Sequence, residues 1–382
     1  AADPTLEESA TIMGASRLRI LFTVTFPLIM PAAAAGALLV FAQSIGNFGV
    51  PSILGREYTM MTTLIVYQIQ GSFNINAAAA IALVNVLMTS LALLLLARYA
   101  RRNRFVTITS TSRAAKRQGG RLGTALGGLF VWTLMIVALL PQIVVIFDSF
   151  VERWPGTLWP TQYGLGNYSY VLSELTDAML NSVLLAAAAT VLSVVVGVLA
   201  AYAAMRKATR FGRLIDLMVM LPFVLPGLLT GAAFLVSFNS GWLVLSGSAM
   251  IMVLAYVVHR LAYIFRAVCA AIGQVDSRID EASTVCGARW LTTMRRVTIP
   301  LIAPGIIAGA VLVFSTLIMD LSITVLLYTP QWKTLAIVMF EQLSNNKIGY
   351  ASASGALAIL VTTVLVFLAS RLAGRSMAEM FR

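Results

Sequence analysis

The sequence is poor in charge: 11% of its 382 residues are charged, against 59% hydrophobic. A soluble globular domain carries about a quarter charged residues, so a water-solvated fold is excluded and lipid is the expected solvent. One histidine and two cysteines are too few for a Cys/His metal cluster. The cysteines, Cys269 and Cys286, fall in a stretch read as cytoplasmic, where no disulfide is expected. No Gly-Lys dipeptide occurs anywhere, which removes the phosphate-cradling loop of an ATP site. No Ser/His/Asp or Cys/His arrangement points to catalysis, so no catalytic residue, metal or cofactor is expected. The chain opens Ala1-Ala2, with neither Met nor a signal peptide.

What the sequence does have is long apolar runs. Spanning a bilayer takes about 20 mostly apolar residues per helix, and backbone polar groups in lipid must be paired within the segment. The expected fold is therefore all-α and polytopic. About eight membrane helices are expected, near 30–50, 77–97, 123–148, 178–204, 215–238, 246–268, 302–325 and 350–371. The net charge of +12 sits in short segments between these runs, a positive-inside pattern and not a nucleic-acid surface. Segment 98–121 carries Arg98, Arg101, Arg102, Arg104, Arg113, Lys116, Arg117 and Arg121 without an acid, and 205–214 carries Arg206, Lys207, Arg210 and Arg213. Both should face the cytoplasm. Segment 149–177 holds Arg153 against Glu152, Glu174 and Asp177, and is rich in Trp and Tyr, which suits an outer interfacial loop. Eight crossings would then put both ends of the chain in the cytoplasm.

An internal repeat organises the chain. GASRLRILFTVTFPLIMPAAAAGALLVF from Gly14 aligns without a gap with GARWLTTMRRVTIPLIAPGIIAGAVLVF from Gly287, identical at 15 of 28 positions under an offset of 273. The offset pairs Val24-Thr25 with Val297-Thr298, Pro27 with Pro300, Pro31 with Pro304 and Gly36 with Gly309. Repeated membrane halves are common in transporters. The expected organisation is 1–97 as the end of one half, 98–121 as a basic linker and 122–382 as a complete second half with six helices. The counterpart of the second half's start would precede residue 1. About four more helices are therefore expected upstream, in an intact chain of roughly 530–560 residues with twelve helices.

Each copy opens on a short polar helix: Glu8-Ser9-Ala10-Thr11-Ile12-Met13-Gly14, then Pro27; and Glu281-Ala282-Ser283-Thr284-Val285-Cys286-Gly287, then Pro300. This resembles the EAA loop of binding-protein-dependent ABC importer permeases, with Ser9 and Ser283 each replacing one Ala. The resemblance implies a type I importer permease fold. In it each loop is a cytoplasmic coupling helix seated in a separate ATP-binding subunit, two such subunits in all, with a periplasmic or lipid-anchored substrate-binding protein outside. Glu8, Ala10, Gly14, Pro27, Glu281, Ala282, Gly287 and Pro300 are the implied coupling residues. Physically, Glu followed by small residues makes a thin face, glycine permits a turn where a side chain would obstruct, and Pro27 and Pro300 are expected to break the cytoplasmic helix.

Two permease halves in one chain resemble the ferric-iron, thiamine and 2-aminoethylphosphonate importers. The runs from Gly46 to Gly55 and from Leu321 to Tyr328, the latter followed by Thr334-Leu335, are similar to the iron and phosphonate types. Asn47 and Asp320 match under the offset, and a carboxylate within a membrane helix usually faces a cavity or a partner. They are candidates to line a translocation path. His259-Arg260 is expected near the cytoplasmic end of its helix, where Arg can snorkel. Gly227/Gly231 and Gly305/Gly309 have the spacing of close helix packing, and Pro222 and Pro226 should kink their helix. A secondary transporter is the alternative, although that class needs more membrane carboxylates than this chain offers.

Overall fold

A computed structural model describes residues 4–55, 58–102, 121–157, 159–206, 210–276 and 278–380. Most of the basic linker, 103–120, thus lies outside the described residues. The first copy begins with α1 (Pro4–Ile12) and α2 (Arg17–Ile20), a π turn at Leu21–Thr25, and α3 (Phe26–Ile45). Next come two short helices, α4 (Gly49–Leu54) and α5 (Met61–Val66), a second π turn at Tyr67–Gly71, and the long α6 (Ile75–Arg102). Helix α7 (Arg121–Ser149) leads to a two-stranded antiparallel hairpin, β1 (Val151–Arg153) and β2 (Gln162–Tyr163). Then follow α8 (Gly166–Glu174), α9 (Thr176–Arg206), α10 (Arg210–Val224), α11 (Gly227–Ser237) and α12 (Ala249–Ile272). The second copy runs through α13 (Arg278–Val285), α14 (Trp290–Thr293), a π turn at Met294–Thr298, α15 (Ile299–Leu317), α16 (Thr324–Leu327), α17 (Leu335–Ser344) and α18 (Ile348–Met380).

The offset of 273 reproduces these boundaries. α2 maps onto α14, the π turn 21–25 onto 294–298, and the starts of α3 and α6 onto those of α15 and α18. Among the described residues, even the two non-glycine residues with positive φ, Phe73 and Asn346, are equivalent.

The π turns have a local cause. Pro27 and Pro300 carry no N–H, so the carbonyls of Thr23 and Arg296, four residues earlier, lose their helical donors. The ladder skips one residue, and the amides of Phe26 and Ile299 reach back five residues to Leu21 and Met294. The prolines therefore widen the helix, whereas a break was expected; one span runs unbroken from Trp290 to Leu317. Pro304 lies inside α15. The real break falls at Pro226, where α10 and α11 bend by 99°.

Six helices among the described residues are long and apolar enough to cross a membrane, or seven if the bent α10–α11 pair is one span. Eight were expected. The remaining one, near 30–50, falls on α3, several of whose side chains lie outside the described residues. Two expected helix ends also shift: α3 stops at Ile45 and α15 at Leu317, and just beyond them Asn47 and Asp320 each accept the amide three residues on.

Contacts divide the chain into two units, 1–46 with 79–141, and 47–78 with 142–382. In the first, α1, α2 and the π turn pack at the base of α3, and Asn85 of α6 donates to the Ile45 carbonyl at 3.4 Å. In the second, α9, α12 and α15 form the core. Ile264 on α12 is fully buried between two glycines: a Cβ at Gly197 would lie 2.5 Å from its Cγ2, and one at Gly309 2.6 Å from its Cδ1. Gly305 likewise abuts Ala271. Among described glycines these spacings mark close packing, as expected. Gly309→Val should cost about 1–3 kcal/mol of stability by overpacking, read as a lower unfolding temperature in detergent. Gly128→Ala on α7, which meets nothing within 4 Å, should leave it unchanged or slightly raised.

The two ends of α9 separate two groups of loops. Near its start, Asn181 Nδ2 donates to the carbonyls of Gln331 and Lys333, and Ser182 Oγ accepts from the Leu335 amide at 2.7 Å. At its far end, Arg206 pairs with Asp280 beside α13 at 2.9 Å. The helix is 31 residues long, about 46 Å at 1.5 Å per residue, enough to hold the two groups on opposite sides of a bilayer.

Candidate functional site

The two segments expected to couple have the same local architecture in both copies. α1 ends where the Gly14 amide donates to the Thr11 carbonyl at 3.0 Å and that of Ala15 to Ala10 at 3.1 Å. α13 ends with the same pair, Gly287 to Thr284 at 2.9 Å and Ala288 to Ser283 at 3.1 Å. Gly14 and Gly287 sit at φ +81° and +79°, the left-handed region that terminates helices and favours glycine. A Cβ there would meet nothing within 4 Å in either copy, so space within the chain does not demand these glycines.

Glu281 and Ala282 are exposed on α13, and Ala10 is half-buried on α1. Glu8 lies within α1, with its side chain outside the described residues. Pro300 is exposed and Pro27 half-buried, each at the second position of its membrane helix. Around these residues the structure adds an apolar rim that sequence reading missed. Ile12 is 86% exposed and its equivalent Val285 88%; Leu18 is 69% exposed and its equivalent Leu291 68%. The offset could have found them, since it pairs β-branched with β-branched and leucine with leucine.

A second missed feature ties each of these short helices to the π turn that follows it. Thr25 Oγ1 donates to Glu7 Oε1 at 2.7 Å, and Thr298 Oγ1 donates to Asp280 Oδ1 at 3.1 Å. The acid is the residue before the motif glutamate in both cases.

The other candidates, Asn47 and Asp320, also prove equivalent. Asn47 Oδ1 accepts from the Val50 amide at 3.1 Å, and Asp320 Oδ1 accepts from the Ile323 amide at 2.9 Å. Each closes the turn that leads from a long helix into a short one; they were expected within the outer part of those long helices. Asn47 is exposed, whereas Asp320 is 6% exposed. Asp320 Oδ2 takes a hydrogen bond from Arg260 Nη2 at 2.7 Å, with the two side chains 3% and 12% exposed. Arg260 therefore does not snorkel from a helix end. It lies mid-way along α12 and neutralises a buried carboxylate.

One turn earlier on the same face of α12, the Tyr256 hydroxyl bonds Thr324 Oγ1, and Thr324 Oγ1 donates to the Asp320 carbonyl at 2.5 Å. His259 lies 3.4 Å from Thr230 Oγ1 through Nδ1. Gly227 and Gly231 of α11 bring that helix against Ser322 and Ile323. The segment after Asn47 packs on the segment after Asp320: Gly49 approaches Leu321, Gln70 Nε2 donates to the Val325 carbonyl at 2.8 Å, and the rings of Phe48 and Phe340 lie 5.8 Å apart. No group of three metal-binding side chains occurs among the described residues.

Repeated helical halves, a duplicated exposed loop and a polar cluster between broken helices define a polytopic membrane protein of the transport class. The chain belongs to the family described as binding-protein-dependent transport system inner membrane component, which matches residues 1–105 and 193–379. It is thus a multi-pass inner-membrane permease component. It is 27% identical over 373 residues to the ferric transport system permease protein FbpB of Actinobacillus pleuropneumoniae, covering 95% of this chain and 53% of that one. A protein of Salmonella typhi named for 2-aminoethylphosphonate transport, PhnV, is 28% identical over 255 residues, covering 66% of this chain and 97% of the relative. The chain spans about half the length of two ferric permeases that it matches and 71% of a third. Among solved structures, a bacterial ABC transporter involved in the import of alginate superposes with a TM-score of 0.52 at 15% identity, covering 66% of this chain and 95% of that one. That likeness supports the fold.

Proposed function

We propose that this chain is a translocation subunit of an ATP-driven importer and receives two separate ATPase subunits, one on α1 with Gly14 and one on α13 with Gly287. The single observation carrying this reading is the exposed apolar rim, repeated in register on both copies. Ile12 and Leu18 in one, and Val285 and Leu291 in the other, sit beside a glycine that the chain's own packing does not require. Each such side chain stabilises a complex by about 1.5–3 kcal/mol when a partner buries it. The motif glutamates Glu8 and Glu281 would pair with basic groups of that partner, and ATP would be hydrolysed there. Ala10 and Ala282 keep the docking face thin, and Pro27 and Pro300 shape the helix behind it.

In this reading the coupling loops and both termini are cytoplasmic. Residues 1–97 belong to one permease half and 122–382 to the other, joined by the basic linker 98–121. Asn47 and Asp320 cap the segments that border the path. The neutralisation of Asp320 by Arg260 leaves that carboxylate unavailable for ion coupling, which argues against a secondary transporter. An external binding protein would deliver the substrate, ferric iron or 2-aminoethylphosphonate, the cargoes for which the relatives are named, with thiamine the alternative. A thermal-shift screen of that binding protein against the three ligands should raise its melting temperature with one of the first two. A response to thiamine alone would reject both.

A further inference from the structure

The acids that precede the motif glutamates have no role in the reading above. Yet Glu7 and Asp280 make the same long-range contact, to Thr25 and Thr298, eighteen residues on. Both threonines are the last residue of a π turn. Thr298 is buried to 1% exposure, so its hydroxyl needs a partner within the protein, and Asp280 supplies it. Asp280 Oδ2 also lies 2.9 Å from Arg206 Nε, with the two side chains only 15% and 17% exposed. The second coupling helix is thereby joined both to its own membrane helix and to the end of α9.

Neither contact is accounted for by helix formation. α13 is closed by its own backbone and by Thr284 Oγ1 donating to the Asp280 carbonyl at 2.9 Å, as α1 is by Thr11 and the Glu7 carbonyl at 2.7 Å. The acid side chains are left free to reach out of the helix. They reach the one turn of the membrane helix where the ladder is already widened by proline. A π turn has one extra residue to lose, so it can shift register more readily than an α turn.

We propose that Glu7 and Asp280 are positioning residues that carry motion of each coupling helix into the π turn of its membrane helix, with Arg206 passing the same motion to α9. This rests on the reading that α1 and α13 receive ATPase subunits. Removing the link should separate ATP hydrolysis from transport without preventing docking.

The test uses the intact transporter in lipid vesicles with its ATPase subunits and binding protein. Docking is read as protection of Cys286, which is exposed at the end of α13, from a maleimide. Coupling is read as uptake per ATP hydrolysed, using radiolabelled ferric ion or 2-aminoethylphosphonate, whichever the wild type accumulates. Thr298→Val and Asp280→Ala should keep Cys286 protected and lower uptake per ATP about tenfold, the loss expected for a hydrogen bond to a charged group. Thr298→Ser, which restores the hydroxyl, should recover it. Arg206→Gln combined with Asp280→Ala should be no worse than Asp280→Ala alone, since the two share one link. Normal uptake per ATP in protected Thr298→Val overturns the proposal and leaves the functional reading standing. Loss of protection in Thr298→Val, or no rescue by Ser, also overturns it. Failure of ATPase subunits to protect Cys286 in the wild type overturns both.

Discussion

Gly287→Asn should leave the isolated chain folded and abolish ATP-driven uptake. A glycine here can serve the backbone or the surface. At φ +79° an ordinary L-residue is strained by about 1–2 kcal/mol, but asparagine visits this region with little penalty. A Cβ at this position meets nothing within 4 Å, so the side chain also fits. On conformational grounds alone the variant should therefore unfold in detergent within a degree or two of wild type. On the proposed function, the exposed neighbours Val285 and Leu291 mark the surface that an ATPase subunit approaches, and there an amide side chain intrudes. Cys286 should lose its protection by the ATPase subunits, and uptake should fall to background. Gly287→Val, strained at this φ as well, should show both defects. Wild-type uptake by Gly287→Asn would remove the docking role of this turn. The same experiment at Gly14, φ +81°, should give the same result if both copies dock a subunit.

The sequence shows most of this architecture because its two copies report on each other. A single Glu-Ser-Ala segment followed by glycine is a weak signal. The alignment of Gly14 with Gly287 and Pro27 with Pro300 turns it into a structural statement, and the helix boundaries repeat at the same offset. What proline does there was not legible. Pro27 and Pro300 suggest a break, but whether the ladder stops or skips one carbonyl depends on packing around the helix. At Pro300 it skips, whereas at Pro226 the chain bends by 99°.

The ion pair was hidden for a different reason. Arg260 and Asp320 are sixty residues apart, on α12 and after α15, and nothing in either local pattern names the other. Asp320 could be paired with Asn47 by the offset, but the offset pairs Arg260 with no residue of this sequence. Glu7 and Asp280 were not legible because nothing local distinguishes an acid that bonds its own chain from the motif glutamate beside it. The offset that aligned Thr25 with Thr298 would also have aligned these acids.

Breaking the buried pair should have the largest effect on stability. Asp320→Ala removes the cap on the Ile323 amide and strands the Arg260 guanidinium, 12% exposed, against Tyr263 with no carboxylate. Leaving one partner of a buried ion pair uncompensated costs about 3–5 kcal/mol, enough to unfold a marginal membrane protein or to deplete it from the membrane. The first copy indicates how to remove the charge without that cost. Its equivalent residue is Asn47, whose Oδ1 keeps the cap to the Val50 amide at 3.1 Å. Asp320→Asn with Arg260→Gln should therefore retain the cap, leave no buried charge, and restore most of the unfolding temperature lost in either single charge-removing variant. The folded double variant then decides what the pair is for. If Asp320 borders the translocation path, uptake should fall at least tenfold while ATPase subunits still protect Cys286. If uptake stays at the wild-type level, the pair serves the fold alone, and Asp320 leaves the list of path residues together with Asn47.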